Sequence, residues 1–145
     1  ALRQQQLNRP ISPKQNAPPL VVSIGSPSAI ADKTSFNDIE AAKKFCKKFS
    51  KFVNFYIDDS LNFLKNFNKK IDLLYLDSLD GNQLGAQNHQ LNEIKLAEKK
   101  LHNKSLILLD DKLSKSNLTI KFLKEKNYIA IKETDQQILF SKNDD

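Results

Sequence analysis

Three short apolar runs, each ending in carboxylates, most constrain what this chain can fold into. Residues 52–57 run into Asp58 and Asp59, residues 71–76 into Asp77, and residues 105–109 into Asp110 and Asp111. Strands that are apolar on both faces must be covered on both, which is the pattern of a parallel sheet between helices. Between the runs the apolar period changes from two to three or four. Phe36, Ile39, Ala42, Phe45, Cys46 and Phe49 mark one helix with Ser35 as its N-cap, and Leu61, Leu64 and Phe67 mark a short one capped by Ser60. After a loop holding Gly81 and Gly85, a third face carries Leu91, Ile94, Ala97 and Leu101, and Leu118, Phe122 and Leu123 mark the last helix. An earlier strand, residues 20–24, is closed by Gly25, Ser26 and Pro27. Residues 128–131 and 138–140 flank a turn too short for a crossover, so these strands must run antiparallel. The expected fold is α/β, a mostly parallel doubly wound sheet that ends in an antiparallel β-hairpin.

A length of 145 residues is enough for one domain with its own core. All five prolines fall within the first 27 residues, and no acidic residue precedes Asp32. Residues 1–19 therefore read as an extended or disordered lead-in, and residues 20–145 as the α/β domain. The chain opens on Ala1 rather than Met, which suggests a processed product or an excised fragment. An organelle-targeting remnant is one reading of that acid-free start, although it lacks the amphipathic helix such a signal needs. No apolar run is long enough to span a membrane. A single cysteine, Cys46, has no partner for a disulfide, and a reducing intracellular compartment, cytoplasmic or organellar, is expected. The net charge of +6 rests on 21 lysines and only two arginines, Arg3 and Arg9. That balance suits solvated helix faces better than the bidentate reading of bases and phosphates. No GxSxG, P-loop, HExxH or CxxC spacing occurs, so hydrolase, nucleotide triphosphatase and zinc-finger chemistry lack a motif.

Ligands of open parallel sheets bind outside the carboxyl ends of the strands, where Asp58, Asp59, Asp77, Asp110 and Asp111 are expected to converge. Crowded carboxylates repel unless a cation, a ligand hydroxyl or an ammonium satisfies them. Against this stands the common use of Asp at strand ends to cap the next helix. His89 follows Asp77 closely enough to reach the same edge as a metal ligand or general base, or it is a helix-surface histidine. His102 reads as a cation at a helix C-terminus, and Cys46 as a core residue.

The stretches Asn54-Phe55-Tyr56-Ile57-Asp58-Asp59-Ser60, Ile71-Asp72-Leu73-Leu74-Tyr75-Leu76-Asp77-Ser78 and Ser105-Leu106-Ile107-Leu108-Leu109-Asp110-Asp111 together resemble the class I S-adenosylmethionine-dependent methyltransferases. The closing residues 122–128 and 137–141 resemble that family's last helix and hairpin. This resemblance implies S-adenosylmethionine as cofactor, with Asp58, Asp59 and Ser60 at its adenine and Gly25 in the loop that approaches its methionine part. It implies Asp77 beside the methyl donor as a catalytic residue; His89, from its place after Asp77, is the second catalytic candidate. The resemblance also implies Asp77, Asp110 and Asp111 as ligands of Mg²⁺ or Mn²⁺ in a metal-assisted O-methyltransferase, acting on a small-molecule methyl acceptor. One strand-helix unit of the family is missing or degenerate at the N-terminal side, and the glycine-rich loop is reduced to residues 24–28. The alternative expectation is a catalytically inactive methyltransferase-like subunit of a larger assembly or oligomer. Its protein or RNA partner would be held by the basic N-terminal segment. A nucleotide- or sugar-binding Rossmann-like domain is a third reading.

Overall fold

Residues 21–25 and 40–143 of the chain are described by a computed structural model. The proline-rich lead-in, the Ser35 cap and residues 26–39 lie outside the described residues. Five strands form one sheet in the order β1-β2-β3-β5-β4. They are β1 (Val21–Gly25), β2 (Ile71–Asp77), β3 (Leu101–Leu109), β4 (Tyr128–Glu133) and β5 (Ile138–Lys142). The first three run parallel, and β5 is antiparallel to both β3 and β4. Helical segments are residues 40–45 (α1), Ser60–Asn66 (α2), Ala86–Ala97 (α3), Lys112–Lys115 (α4) and Asn117–Glu125 (α5). The fold is a mixed α/β sheet, mostly parallel and then antiparallel. Among the described residues, no helix is long and apolar enough to cross a membrane.

Strand register places the core on one face of the sheet. Leu74 and Leu76 of β2 stand level with Ile107 and Leu109 of β3, which in turn face Phe140 and Ile138 of β5. All six are buried, and Leu64 of α2, Ile94 and Ala97 of α3 and Leu123 of α5 pack on them. Burying side chains of this size contributes about 1.5–3 kcal/mol each before chain entropy is subtracted. The intervening residues Leu73, Tyr75, Leu106, Leu108 and Leu139 point to the opposite face and are only half-buried. The helices of the core cluster thus lie on one side, and among the described residues the other side of the sheet stays partly open.

Local chemistry sets the element boundaries. Asp59, not Ser60, is the N-cap of α2, and its carboxylate accepts from the backbone N–H groups of Leu61 and Asn62. Ser60 is instead the first helical residue and is buried. Gly85 precedes α3 in the left-handed region at φ 82°, which a glycine adopts without penalty. Asn127, at φ 61°, ends α5 in the same region and turns the chain into β4.

The structure corrects several expectations. Residues 52–57 form no strand. β1 is the edge strand of the described sheet, and residues 52–57 do not add to its free side. Asp58 and Asp59 are therefore not at a strand end. Of the expected helix over residues 36–49, the described part is helical only over residues 40–45 and ends in a 3₁₀ turn, Lys47–Phe49. Its apolar stripe faces solvent, with Phe45 82% and Phe49 52% exposed, so Cys46 is half-buried rather than in the core. His102 is the second residue of β3, not a helix C-terminal cation, and its Nε2 lies 3.0 Å from Asp72 Oδ1. Leu101 likewise opens β3 instead of completing the face of α3.

Candidate functional site

The carboxyl edge of the sheet gathers Gly25, Asp77, Asp110 and Asp111. Gly25 is level with Asp77 across β1 and β2, and Leu76 is level with Leu109 across β2 and β3. The chains therefore leave the sheet together, and the Asp110 N–H still donates to the Leu76 carbonyl at 3.2 Å. One carboxylate oxygen from each of Asp77, Asp110 and Asp111 falls within 4.8 Å of the others, and all three residues are half-buried.

Their repulsion is answered from within the chain. Lys115 is fully buried, although lysine is almost never so unless paired. Its ammonium donates to Asp77 Oδ1 at 3.2 Å, the Ser78 carbonyl at 3.2 Å and the Leu79 carbonyl at 2.9 Å, and it lies 3.4 Å from Asp111 Oδ2. Asp111 precedes α4 in the left-handed region at φ 50° and makes no capping bond. Its carboxylate serves Lys115, one helical turn on, rather than the helix end. Burial raises the Asp77 carboxyl above the usual carboxylate range and the neighbouring Asp110 adds to this, while Lys115 opposes it. Tyr75 stands beside the cluster on the open face of the sheet, near Asp110 and Gln137. Burial and the charges of Asp77 and Asp110 push its phenol up to about 12.

A second polar chain runs behind the edge. Ser78 Oγ donates to Glu93 Oε1 at 2.5 Å, His89 Nε2 lies 3.2 Å from the same oxygen, and Ser60 Oγ is 2.9 Å from His89 Nε2. Ser60 and Glu93 meet the same ring nitrogen. A Ser-His-acid triad needs them on opposite nitrogens, so this trio lacks that geometry. Among the described residues, His89 is connected to the carboxylate cluster through Glu93 and Ser78. Asp58 accepts from the Asp59 N–H and from Asn62 Nδ2, and Asp59 caps α2, so both carboxylates are engaged in their own turn. Beside the edge, the loop containing Gly81 and Gly85 lines an open cleft of about 390 Å³ with Ser114 and Leu118. A Cβ on Gly81 would collide with the Ser114 side chain, so glycine lets this loop approach α4.

Sequence reasoning missed Lys115, Tyr75 and Glu93. Glu93 was detectable, because with Ala86, Gln90, Ile94 and Ala97 it falls on the buried stripe of α3. Lys115 had only its spacing from Asp111 as a signal, and that is common among 21 lysines.

A divalent ion at Asp77, Asp110 and Asp111 would have to share two of its three carboxylates with an ammonium that has no exposed path away. The residues present fit a single buried ammonium and do not fit Mg²⁺ beside it.

No protein-family model matches the sequence, and no curated protein matches it. Among solved structures the chain is similar to a Corynebacterium glutamicum protein from structural genomics, at TM-score 0.58 and 9% identity over 76% of this chain and 58% of that one. It is also similar to a Clostridium thermocellum protein provisionally named an rRNA methylase, at TM-score 0.54 and 15% identity over 79% of this chain and 73% of that one. The chain thus spans little more than half of the Corynebacterium protein. At such identities the likeness concerns architecture, and the chain has a methyltransferase-like α/β fold.

Proposed function

We propose that the carboxyl edge of the sheet binds S-adenosylmethionine and that the domain serves methyl transfer. The observation that carries this reading is the position of β1. In a doubly wound sheet the first strand lies beside the fourth, and β1 lies directly beside β2, with Gly25 level with Asp77. Gly25 then stands for the family's glycine turn and Asp77 for the acid after its fourth strand, which leaves the second strand and, since residues 52–57 form none, the third without a counterpart among the described residues. The edge holds three carboxylates against one ammonium, a balance that favours a cationic ligand. S-adenosylmethionine when bound supplies an electrophilic methyl on a sulfonium, and the acceptor's lone pair forms the new bond as the carbon–sulfur bond breaks. Asp77, with its carboxyl raised above the usual range, is the group placed to take the acceptor's proton. The acceptor is a hydroxyl or amine, on a small molecule or, by analogy with the Clostridium protein's name, on RNA.

Calorimetric titration with S-adenosylmethionine and S-adenosylhomocysteine tests the proposal. Micromolar binding that weakens at least about tenfold in Asp77→Asn is expected. A folded chain that binds neither compound overturns it. That outcome favours the second reading, a non-catalytic interaction subunit, which is supported by the exposed phenylalanines of residues 45–55 and the half-open sheet face. On that reading the basic residues 1–19 hold an acidic protein or RNA, and affinity falls steeply with salt.

A further inference from the structure

We infer that the cation of the Asp77–Asp110–Asp111 cluster is the chain's own Lys115, and that the edge works without a divalent metal ion. The inference rests on the cluster alone and does not depend on the cofactor reading. The three N–H donors of the ammonium are matched by three hydrogen bonds of 2.9–3.2 Å, and the Asp111 contact adds a fourth oxygen. Two of these oxygens are neutral backbone carbonyls, which complete a cage for a monovalent ammonium.

The backbone is bent toward this cage. Leu79, whose carbonyl accepts the shortest of the three bonds, sits at φ 48°, and Asp111 sits at φ 50°. Left-handed backbone costs a residue with a Cβ roughly 1–2 kcal/mol, and such strain persists only where its surroundings hold it. Both strained residues present an oxygen to Lys115, so the ammonium is the contact common to them. Seating Mg²⁺ on the same carboxylates would bring two positive centres within a few ångströms of each other. It would otherwise require extracting a fully buried side chain and leaving the Ser78 and Leu79 carbonyls without their donor.

The test is titration of the full chain with Mn²⁺, followed by the electron paramagnetic resonance signal of the free ion, without any cofactor. The wild-type cluster is expected to leave Mn²⁺ free into the millimolar range. Lys115→Met is expected to gain affinity by at least about a thousandfold, the scale set by removing a unit charge about 4 Å away at an effective dielectric near 20. Adding Asp110→Asn to that variant should abolish the gain. Wild-type binding that is lost in Asp110→Asn overturns the inference, whereas wild-type binding that survives both Asp110→Asn and Asp77→Asn lies elsewhere and leaves it standing. If Lys115→Met does not fold, Lys115→Gln replaces it, and the wild-type measurement still decides. Mn²⁺ is read without S-adenosylmethionine, so failure here leaves the methyl-transfer proposal untouched, and the reverse also holds.

Discussion

Residues 45–57 and β2 (Ile71–Asp77) are both rich in large apolar side chains, yet one stretch lies at the surface and the other at the centre of the molecule. Phe45, Phe49, Phe52, Tyr56 and Ile57 are all more than half exposed, whereas Ile71, Leu74 and Leu76 have no exposure at all. Intrinsic propensity does not separate them, since β-branched and aromatic residues of residues 52–57 favour strands at least as well. Neighbours do. β2 has β1 on one side and β3 on the other, and α2, α3 and α5 above it. Among the described residues, no strand lies beside residues 52–57. An apolar pattern thus specifies burial only when another element completes the surface it would bury against.

The largest expected effect tests that contrast directly. Phe140→Ala, which opens a void between β5 and the helices, is expected to cost about 3–5 kcal/mol in urea unfolding. Phe52→Ser, at a side chain 72% exposed, should change stability by no more than about 0.5 kcal/mol. Comparable losses in the two variants would show that residues 45–57 are packed in solution and would break the comparison.

The same contrast explains what was legible in the sequence. From Leu61 onward, apart from the start of β3 at Leu101 and His102, helix and strand periods, the antiparallel hairpin and the gathering of Asp77, Asp110 and Asp111 could be read, because each depends on local period or on strand ends fixed by neighbouring strands. Residues 52–57 were misread because a strand period says nothing about whether a partner exists. The cap of α2 was placed at Ser60 instead of Asp59 for a related reason, since neighbouring side chains that can both cap look alike until the following turn is seen. Lys115 was invisible for want of any pattern. A lysine that folds into a cage of carbonyls differs in sequence in no way from one that waves in water, and the cage depends on the left-handed turns at Leu79 and Asp111.

Lysines sharpen the comparison next. Lys47, Lys48 and Lys51 lie among the exposed phenylalanines and are themselves exposed, while Lys115 is sealed behind the sheet edge. Lys115→Met is expected to cost on the order of 2 kcal/mol, less than a wholly buried pair because Asp77 and Asp111 reach solvent. Lys51→Met should leave the unfolding midpoint unchanged. Equal effects would mean that the cage is not closed. A smaller loss, about 1–2 kcal/mol, is expected for Ser78→Ala, which leaves buried Glu93 with His89 as its remaining partner. No loss in Ser78→Ala would show that the chain from Ser60 to Ser78 does not brace the edge.

The smallest effect appears only in alkali and contrasts Tyr75 with Tyr56. Burial and the charges of Asp77 and Asp110 raise the Tyr75 phenol from the ordinary value near 10 to about 12, whereas Tyr56 stands in the exposed stretch, 66% accessible. The raised value fixes the sign. The unfolded chain releases this proton near pH 10 and the folded chain only near 12, so the phenol's stabilising contribution is complete below pH 10 and is lost as the pH rises toward 12. Relative to wild type, Tyr75→Phe should therefore gain stability steadily over that window, and the last step in the tyrosinate absorbance titration should disappear. Tyr56→Phe should leave that late step in place. If Tyr75→Phe follows the wild-type stability curve through pH 12, the phenol is not held between the two carboxylates, and the crevice at the carboxyl edge is more open than its hydrogen bonds describe.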